Sequence, residues 1–203
     1  MIYSKILYEK KLKENMYEVA VLFPIKPKPG QFVSLIDSGK REIPLSISDY
    51  YNGILFLHLS EKIYDTLKGK ERILLKGPIG RPVDLSVSSV LGIAYQDLFF
   101  DILYILREAK RNGIKVKVKC IECETNEFQI GNETEKFDLI IASVPQNFIN
   151  SLPKDAYVYV RWIKMNCMLG VCGVCEIGSK LVCIDGPLIK VSDLVDQRQS
   201  LGK

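Results

Sequence analysis

Six cysteines are the residues of this sequence whose type and spacing could do chemistry, and four of them lie together near the C-terminal end. The stretch CMLGVCGVC carries three thiols within nine residues, and a fourth follows in CIDGP. A C-x4-C-x2-C run with a more distant fourth cysteine is the plant-type pattern for binding a [2Fe–2S] cluster. We therefore predict a [2Fe–2S] cluster bound by Cys167, Cys172, Cys175 and Cys183.

The residues between these ligands fit that interpretation. Four thiolates and two sulfides leave an oxidised cluster with about two negative charges, which inward-turned main-chain N–H groups must stabilise. Gly170 and Gly173 tolerate positive φ, so they allow a tight loop to wrap the cluster. The apolar Met168, Leu169 and Val171 cannot all turn inward. They either shield the sulfurs from water or form a docking face for a partner.

Two further cysteines, Cys120 and Cys123, leave zinc as the main alternative. Pairs of C-x2-C knuckles commonly bind one zinc ion, and this pair could join Cys172 and Cys175. Such a site would leave the other two cysteines of the run unused. Six unrelated core or disulfide cysteines are a third interpretation. Positions three apart on a strand face opposite sides, so we interpret Cys120 and Cys123 as buried core thiols.

Composition narrows the class of protein. With 203 residues, 47% of them apolar, the chain can bury a core. The net charge of +4 is spread as single Lys and Arg residues among acidic ones, so no basic block indicates a nucleic-acid surface. No apolar stretch is long enough for a signal peptide or a membrane span. We expect a cytoplasmic protein, in which cysteines favour metal or redox chemistry over disulfides.

The pattern of elements divides the chain into three parts. Residues 1–84 contain short runs rich in β-branched and aromatic residues at roughly ten-residue intervals, which predict an antiparallel β-barrel. Residues 85–163 contain one amphipathic helix in LFFDILYILREAKRNG, followed by the strand patterns IKVKVKCIE, FDLIIASVP and AYVYVRWI. They predict a reduced, Rossmann-like α/β domain. Residues 164–203 form the cluster-binding segment. The predicted fold class is thus mixed β and α/β.

Several motifs together resemble the electron-transfer subunits of heteromeric dihydroorotate dehydrogenases, which are ferredoxin reductase-like proteins. The motifs are PGQFVSL and IPLSI in the barrel, KGPIG before the α/β unit, and the cysteine run with CIDGP. The resemblance spans nearly the whole chain. It implies a flavin-binding barrel, a nicotinamide-binding α/β domain and a terminal [2Fe–2S] domain. It also implies a hetero-oligomer in which a catalytic partner carrying FMN oxidises dihydroorotate in pyrimidine synthesis.

The flavin motif departs from that family. Its Arg-Pro-Leu-Ser motif, whose arginine holds the FAD pyrophosphate, here begins with Ile43. Arg41 is in strand phase with Ile43 and could substitute from a distance. The family's later Gly-Thr pair falls near Ser60 and Glu61, and a carboxylate is a poor neighbour for a diphosphate. FAD binding is thus in doubt, and the residues that would carry it are Arg41, Pro44, Leu45 and Ser46.

The nicotinamide motif departs further. Relatives have a glycine-rich turn ending Gly-Ile-Ala-Pro that lets a pyrophosphate approach a helix N-terminus. The matching run here is SVSSVLGIAY, with Gly92 retained, Ser88 and Ser89 in place of the paired glycines, and Tyr95 in place of proline. Side chains at those places obstruct the approach of a dinucleotide. We therefore expect no NAD binding.

The predicted function is an electron-transfer subunit in pyrimidine biosynthesis. It relays electrons from the FMN of a dihydroorotate dehydrogenase catalytic subunit through the [2Fe–2S] cluster, and through FAD if FAD is bound, to an external acceptor. His58, the only histidine, is in strand phase with Phe56 and is interpreted as a packed or surface residue. The alternatives are a self-contained NAD(P)H-linked flavoprotein reductase and a zinc-stabilised interaction protein.

Overall fold

A computed structural model describes residues 1–37, 41–132 and 134–194. In this part of the chain the strands form an antiparallel sheet of seven strands, a mainly parallel sheet of six strands and a two-stranded hairpin. The predicted antiparallel and α/β parts are both present. The order of elements follows the chain, with the antiparallel sheet first.

The antiparallel sheet has the strand order β4-β3-β7-β1-β2-β6-β5. Alternating burial along β6 shows that one face of each strand is packed inward. Buried apolar side chains from β2 to β7 form one cluster, so the sheet curves around a single core. The strands are β1 (Ile2–Lys13), β2 (Met16–Leu22), β3 (Phe32–Asp37), β4 (Arg41–Ser46), β5 (Asp49–Tyr51), β6 (Ile54–Ser60) and β7 (Arg72–Ile79).

The second sheet has the order β10-β9-β8-β11-β12-β15, and all its pairs are parallel except β12 with β15. The edge strand β15 follows the cysteine segment in sequence, which the sequence analysis did not predict. The remaining strands are β8 (Ser89–Tyr95), β9 (Lys115–Ile121), β10 (Gln129–Ile130), β11 (Leu139–Ser143), β12 (Tyr157–Tyr159), the hairpin strands β13 (Glu176–Ile177) and β14 (Lys180–Leu181), and β15 (Leu188–Lys190).

The described residues include the helices α1 (Glu61–Tyr64), α2 (Phe99–Arg111) and α3 (Val182–Asp185), and residues 191–194 after β15 are also helical. The predicted amphipathic helix is α2, preceded by a 3-10 turn at Gln96–Leu98. Its apolar face packs on one side of the parallel sheet. The cysteine segment and a 3-10 turn at Gln146–Ser151 pack on the other side. None of the helices in the described residues is long and apolar enough to cross a membrane.

The expected barrel is an open sheet, because the described residues of its edge strands β4 and β5 do not pair with each other. Strand β5 has only three residues, and Pro44 in β4 lacks an N–H for a further ladder bond. Helix α2 contacts both edge strands instead. Its Tyr104 enters the core of the antiparallel sheet and donates a hydrogen bond to the Pro27 carbonyl (2.7 Å). The helix thus covers the side that edge-to-edge pairing would have closed.

Candidate metal centre and cofactor crevices

The four cysteines of the run are brought together by the loop after β12 and by the hairpin β13–β14. Cys175 immediately precedes β13 and Cys183 lies in α3, directly after β14. Antiparallel pairing of Glu176 with Leu181 therefore places these two cysteines side by side. The Val182 N–H donates to the Cys175 carbonyl (3.1 Å), which holds the start of α3 against the loop. Cys167 and Cys172 come from the preceding loop.

The four thiols are free and fall into two pairs. The Cys172 thiol lies close enough to Cys167 to lower its pKa, and the Cys175 thiol lies close enough to Cys183 to raise its pKa. Among the described residues, no three or more Cys, His, Asp or Glu side chains are grouped to hold one metal ion. A binuclear cluster takes two cysteines on each iron, so two neighbouring pairs are the arrangement it requires.

Main-chain donors point at these sulfurs. The Leu169 N–H donates to Cys167 Sγ (3.4 Å), and the amides of Val171 and Cys172 also donate to it. The loop achieves this with positive φ at Met168 (50°), Gly170 (75°) and Gly173 (70°). A concave turn of inward N–H groups stabilises a negative charge. The loop therefore fits an anionic iron–sulfur cluster.

The electrostatics of the two pairs differ. The N–H of Leu169, followed by the Cys172 thiol and further amides, lowers the pKa of Cys167 to about 6. Burial, followed by the neighbouring Cys175 thiol, raises the pKa of Cys183 to about 11. Cys175 and Cys183 are buried and Cys172 is exposed. A cluster bound here would have one edge in the protein core and the other at the surface.

Apolar side chains surround the exposed edge. Met168 is 2% exposed and belongs to the core, whereas Leu169 is 62% and Val171 80% exposed. Val174 and Ile184 are about half exposed. Of the apolar residues between the first two cysteines, Met168 therefore packs inward, whereas Leu169 and Val171 face the solvent. We call Leu169, Val171, Val174 and Ile184 the apolar rim.

The motif KGPIG anchors this segment to the antiparallel sheet. The Lys76 ammonium donates to the Cys167 carbonyl (2.8 Å). The Arg81 N–H donates to the Gly186 carbonyl (2.8 Å). A Cβ on Gly80 would lie 2.4 Å from that carbonyl oxygen, so only glycine permits this approach. KGPIG and CIDGP, which are about a hundred residues apart, are therefore packed against each other.

The flavin-type residues lie around a small cavity between the two sheets. Pro44, Leu45 and Ser46 line it and Arg41 does not; Arg41 is exposed at the start of β4. Ser60 lines the cavity as well, but Glu61 does not. The cavity has a volume of about 60 Å³, whereas cofactor pockets measure about 300 to 1,000 Å³. As it stands, the cavity is smaller than a typical cofactor pocket.

Asp101 of α2 occupies the polar side of this cavity and has partners on both sheets. It accepts hydrogen bonds from Ser46 (2.8 Å), Ser143 (3.0 Å) and Arg161 (2.8 Å). Its side chain is 1% exposed. Sequence reasoning missed Asp101; its position in the first turn of α2 was the available signal. Because Ser46 already donates to Asp101, the hydroxyl of the flavin-type motif is engaged within the protein.

His58 also lines this cavity and is packed, as expected. Its side chain is 5% exposed, its ring lies edge-on to Phe100, and its Nε2 is 3.0 Å from the Glu18 carboxylate. The hydrogen bond with His58 is the main cause that lowers the pKa of Glu18 to about 2. The pair joins neighbouring strands and forms part of the packing.

The serines of the nicotinamide-type motif lie at the amino end of the parallel strands, whereas the sequence predicted them beside a bound dinucleotide. SVSSVLGIAY forms β8 itself, and the amides of Ser88 and Ser89 both donate to Asp138 (2.9 Å) at the amino end of the strands. Dinucleotides bind at the opposite, carboxyl end. The two serines therefore cannot obstruct a dinucleotide, and that part of the interpretation is wrong. Gly92 faces α2, where a Cβ would lie 2.9 Å from a methyl group of Leu106.

Tyr95 does lie at the carboxyl end, beside the switch point where the strand order reverses between β8 and β11. Its hydroxyl donates to Glu122 (2.8 Å), and its ring centroid is 5.3 Å from that of Phe148. Asp101 in the first turn of α2 places a negative charge where a pyrophosphate would approach. At this end of the sheet Tyr95 therefore packs beside Phe148 in place of the family's proline.

Cys120 and Cys123 form a disulfide and are not core thiols, which corrects the sequence interpretation. Strand β9 ends at Ile121, and Glu122 takes a positive φ of 53°. This turn brings both cysteines to the same side, because strand alternation stops between them. The pair is not available as a zinc knuckle.

The fold resembles that of ferredoxin reductase-like proteins. An NADH-dependent reduced ferredoxin-NADP oxidoreductase superposes with a TM-score of 0.75 at 19% identity, covering 94% of this chain and 88% of that one. Phthalate dioxygenase reductase, described as modular for electron transfer from pyridine nucleotides to [2Fe–2S], gives 0.58 at 12% identity, covering 74% and 62%. The expected ferredoxin reductase-like fold, with an antiparallel sheet and a parallel-containing α/β sheet, is confirmed without the closed barrel. No protein-family model matches the chain.

Within that class, the chain is similar in sequence to the probable electron transfer subunit of dihydroorotate dehydrogenase B (NAD(+)) from Archaeoglobus fulgidus. The identity is 24% over an alignment of 233 residues, which covers 96% of this chain and 99% of the relative. The resemblance predicted from the motifs is therefore confirmed over nearly the whole length.

Proposed function

We propose that the chain is the electron-transfer subunit of a dihydroorotate dehydrogenase complex, which passes electrons from the FMN of a catalytic subunit to an external acceptor. The observation that carries the proposal is the cysteine segment. It has two pairs of free thiols and main-chain donors aimed at Cys167, and it reaches the surface at Cys172. The similarity to the Archaeoglobus subunit supports the same role.

Four residues, Cys167, Cys172, Cys175 and Cys183, would hold a [2Fe–2S] cluster, which when bound supplies reversible one-electron transfer. The chain itself fixes the geometry. The hairpin β13–β14 sets the spacing of one cysteine pair, and the loop amides stabilise negative charge on the other. Burial of Cys175 and Cys183 excludes water from the inner side.

The proposal includes no second cofactor bound by this chain. The flavin-type cavity is small and its serine is paired with Asp101, so we route no electron through FAD in this subunit. Tyr95 replaces the family's proline at the carboxyl end of β8, and Asp101 puts a carboxylate in the first turn of α2; both argue against a self-contained NAD(P)H-linked reductase. The Cys120–Cys123 disulfide removes the second zinc knuckle.

The apolar rim supports a partner at the exposed edge. Electrons can be collected only where a donor comes close to the cysteines, and the surface there is apolar at Leu169 and Val171. Apolar surface of this kind is typical of interfaces. We assign it to the FMN-bearing catalytic subunit.

The test is cofactor analysis of the complex purified without oxygen. We expect two irons and two acid-labile sulfides per copy of this chain. Dihydroorotate should then reduce the cluster through the partner, as followed by visible absorbance. One tightly bound zinc per chain without sulfide would contradict the proposal.

A further inference from the structure

Lys76 is a nearly buried cation next to the first cysteine of the run. It lies in β7, and its ammonium donates to the Cys167 carbonyl oxygen at 2.8 Å. The side chain is 14% exposed, although lysine is usually solvated. This is a contact between the antiparallel sheet and the cysteine segment, formed by residues 91 positions apart.

A carboxylate of the same sheet faces this lysine. Glu42 in β4 forms an ion pair with Lys76, and its side chain is 29% exposed. Ser34, on the intervening strand β3, donates to the same carboxylate at 3.5 Å. The lysine therefore has two oxygen partners of different kinds. One is the neutral carbonyl of Cys167, and the other is the Glu42 carboxylate, whose negative charge partly offsets the positive charge of Lys76.

From this geometry we infer that Lys76 is a positioning residue that raises the reduction potential of the cluster, and that Glu42 attenuates it. The inference rests on the proposed function. Reduction adds one negative charge to the cluster, and a nearby cation stabilises the reduced state more than the oxidised state. The hydrogen bond to the Cys167 carbonyl also holds that residue's main chain against β7.

Substitutions at the two partners of the ion pair should shift the reduction potential in opposite directions. Lys76→Met removes the cation and should lower the reduction potential. Glu42→Gln leaves the cation uncompensated and should raise it. We expect each change to alter the reduction equilibrium constant at least threefold, which corresponds to about 28 mV for one electron. Lys76→Arg keeps the charge and should stay close to the original value.

The measurement is a dye-mediated redox titration of the anaerobic complex, followed by visible absorbance and electron paramagnetic resonance. Lys70→Met is the matched control, because Lys70 precedes the same strand but pairs with Asp37 (3.6 Å). It removes the same charge from the chain without touching a cysteine. We expect it to leave the potential unchanged.

Shifts in the same direction for Lys76→Met and Glu42→Gln would overturn the inference, since disturbed packing alone has no reason to give opposite signs. A Lys76→Met shift no larger than that of Lys70→Met would also overturn it. If Lys76→Met does not retain its cluster, Glu42→Gln decides, because a raised potential supports the inference and an unchanged one refutes it. Iron and sulfide in the unmutated complex report separately on the proposed function.

Discussion

The cysteine loop and the first turn of α2 each stabilise a negative charge, and they differ in which group carries that charge. In the loop, the amides of Leu169 and Val171 point at the sulfur of Cys167. At α2, the negative charge is the protein's own Asp101, held by Arg161 and two serines. One site is arranged around cysteines that can take a cofactor, and the other is satisfied within the chain.

The parallel sheet keeps the outline of a dinucleotide site, but the residues at that site differ from the family's motif. The helix still follows the first strand of the parallel sheet, and the switch point between β8 and β11 is still present. Tyr95 packs beside Phe148 there, and Asp101 lines the flavin-type cavity. Function must therefore be argued from the side chains at each site.

The largest effect should follow from Cys172→Ser in the cysteine loop. Loss of one thiolate ligand should remove or severely weaken the cluster, with loss of iron, sulfide and visible absorbance. Cys123→Ser is the control, because Cys123 is paired with Cys120 outside the loop. Equal loss of iron in both variants would contradict the assignment of ligands.

The second effect concerns the site that is satisfied within the chain. Asp101→Ala leaves Arg161 and two serines without their acceptor. Since removal of one partner of a buried ion pair costs 3–5 kcal/mol and Arg161 is half exposed, we expect a loss of about 3 kcal/mol of unfolding free energy. Denaturant unfolding measures it. The control is Asp97→Ala, which removes an exposed ion pair with Lys13 and should lower the unfolding free energy by less than about 1 kcal/mol. Equal losses of unfolding free energy in the two variants would refute the bridging role of Asp101.

A smaller effect should follow from Leu169→Asp in the apolar rim. Burying a leucine stabilises a complex by roughly 1.5 to 3 kcal/mol, so its loss should weaken association with the catalytic subunit ten-fold or more. Calorimetric titration of the two subunits measures this, with iron content unchanged. The control is Ile130→Asp, since Ile130 is 66% exposed on the edge strand β10. Loss of the cluster with normal binding by the remaining protein would show that the residue only shields sulfur.

The smallest effect should be reduction of the complex by NADH, which we expect not to occur. Added to the complete complex, NADH should not reduce flavin or cluster, because Tyr95 stands in place of the family's proline and packs beside Phe148. Dihydroorotate with an artificial acceptor is the positive control. Rapid bleaching by NADH would show that the side chains at this edge can move aside and that the comparison between the two sites is wrong.

Local sequence patterns predicted much of the fold. Alternation predicted β6, apolar periodicity predicted α2, and cysteine spacing singled out the four cysteines of the run. These patterns can be recognised in the sequence because each depends on residues only a few positions apart. The resemblance to the electron-transfer subunits was carried by short motifs and holds over nearly the whole chain.

Long-range contacts could not be predicted in the same way. The turn at Glu122 that pairs Cys120 with Cys123, and the placing of Ser88 and Ser89 at the amino end of β8, depend on where strands begin and end. The open sheet depends on α2 lying across β4 and β5.

The sequence by itself determined the types of element, the spacing of the four cysteines and the absence of the flavin-motif arginine at position 43. Only the tertiary structure decided that Asp101 fills the flavin-type cavity and that Lys76 contacts Cys167. The physical reason is that spacing along a chain fixes local geometry. The partner of a buried charge is fixed by packing between residues dozens of positions apart, and 55 residues separate Ser46 from Asp101.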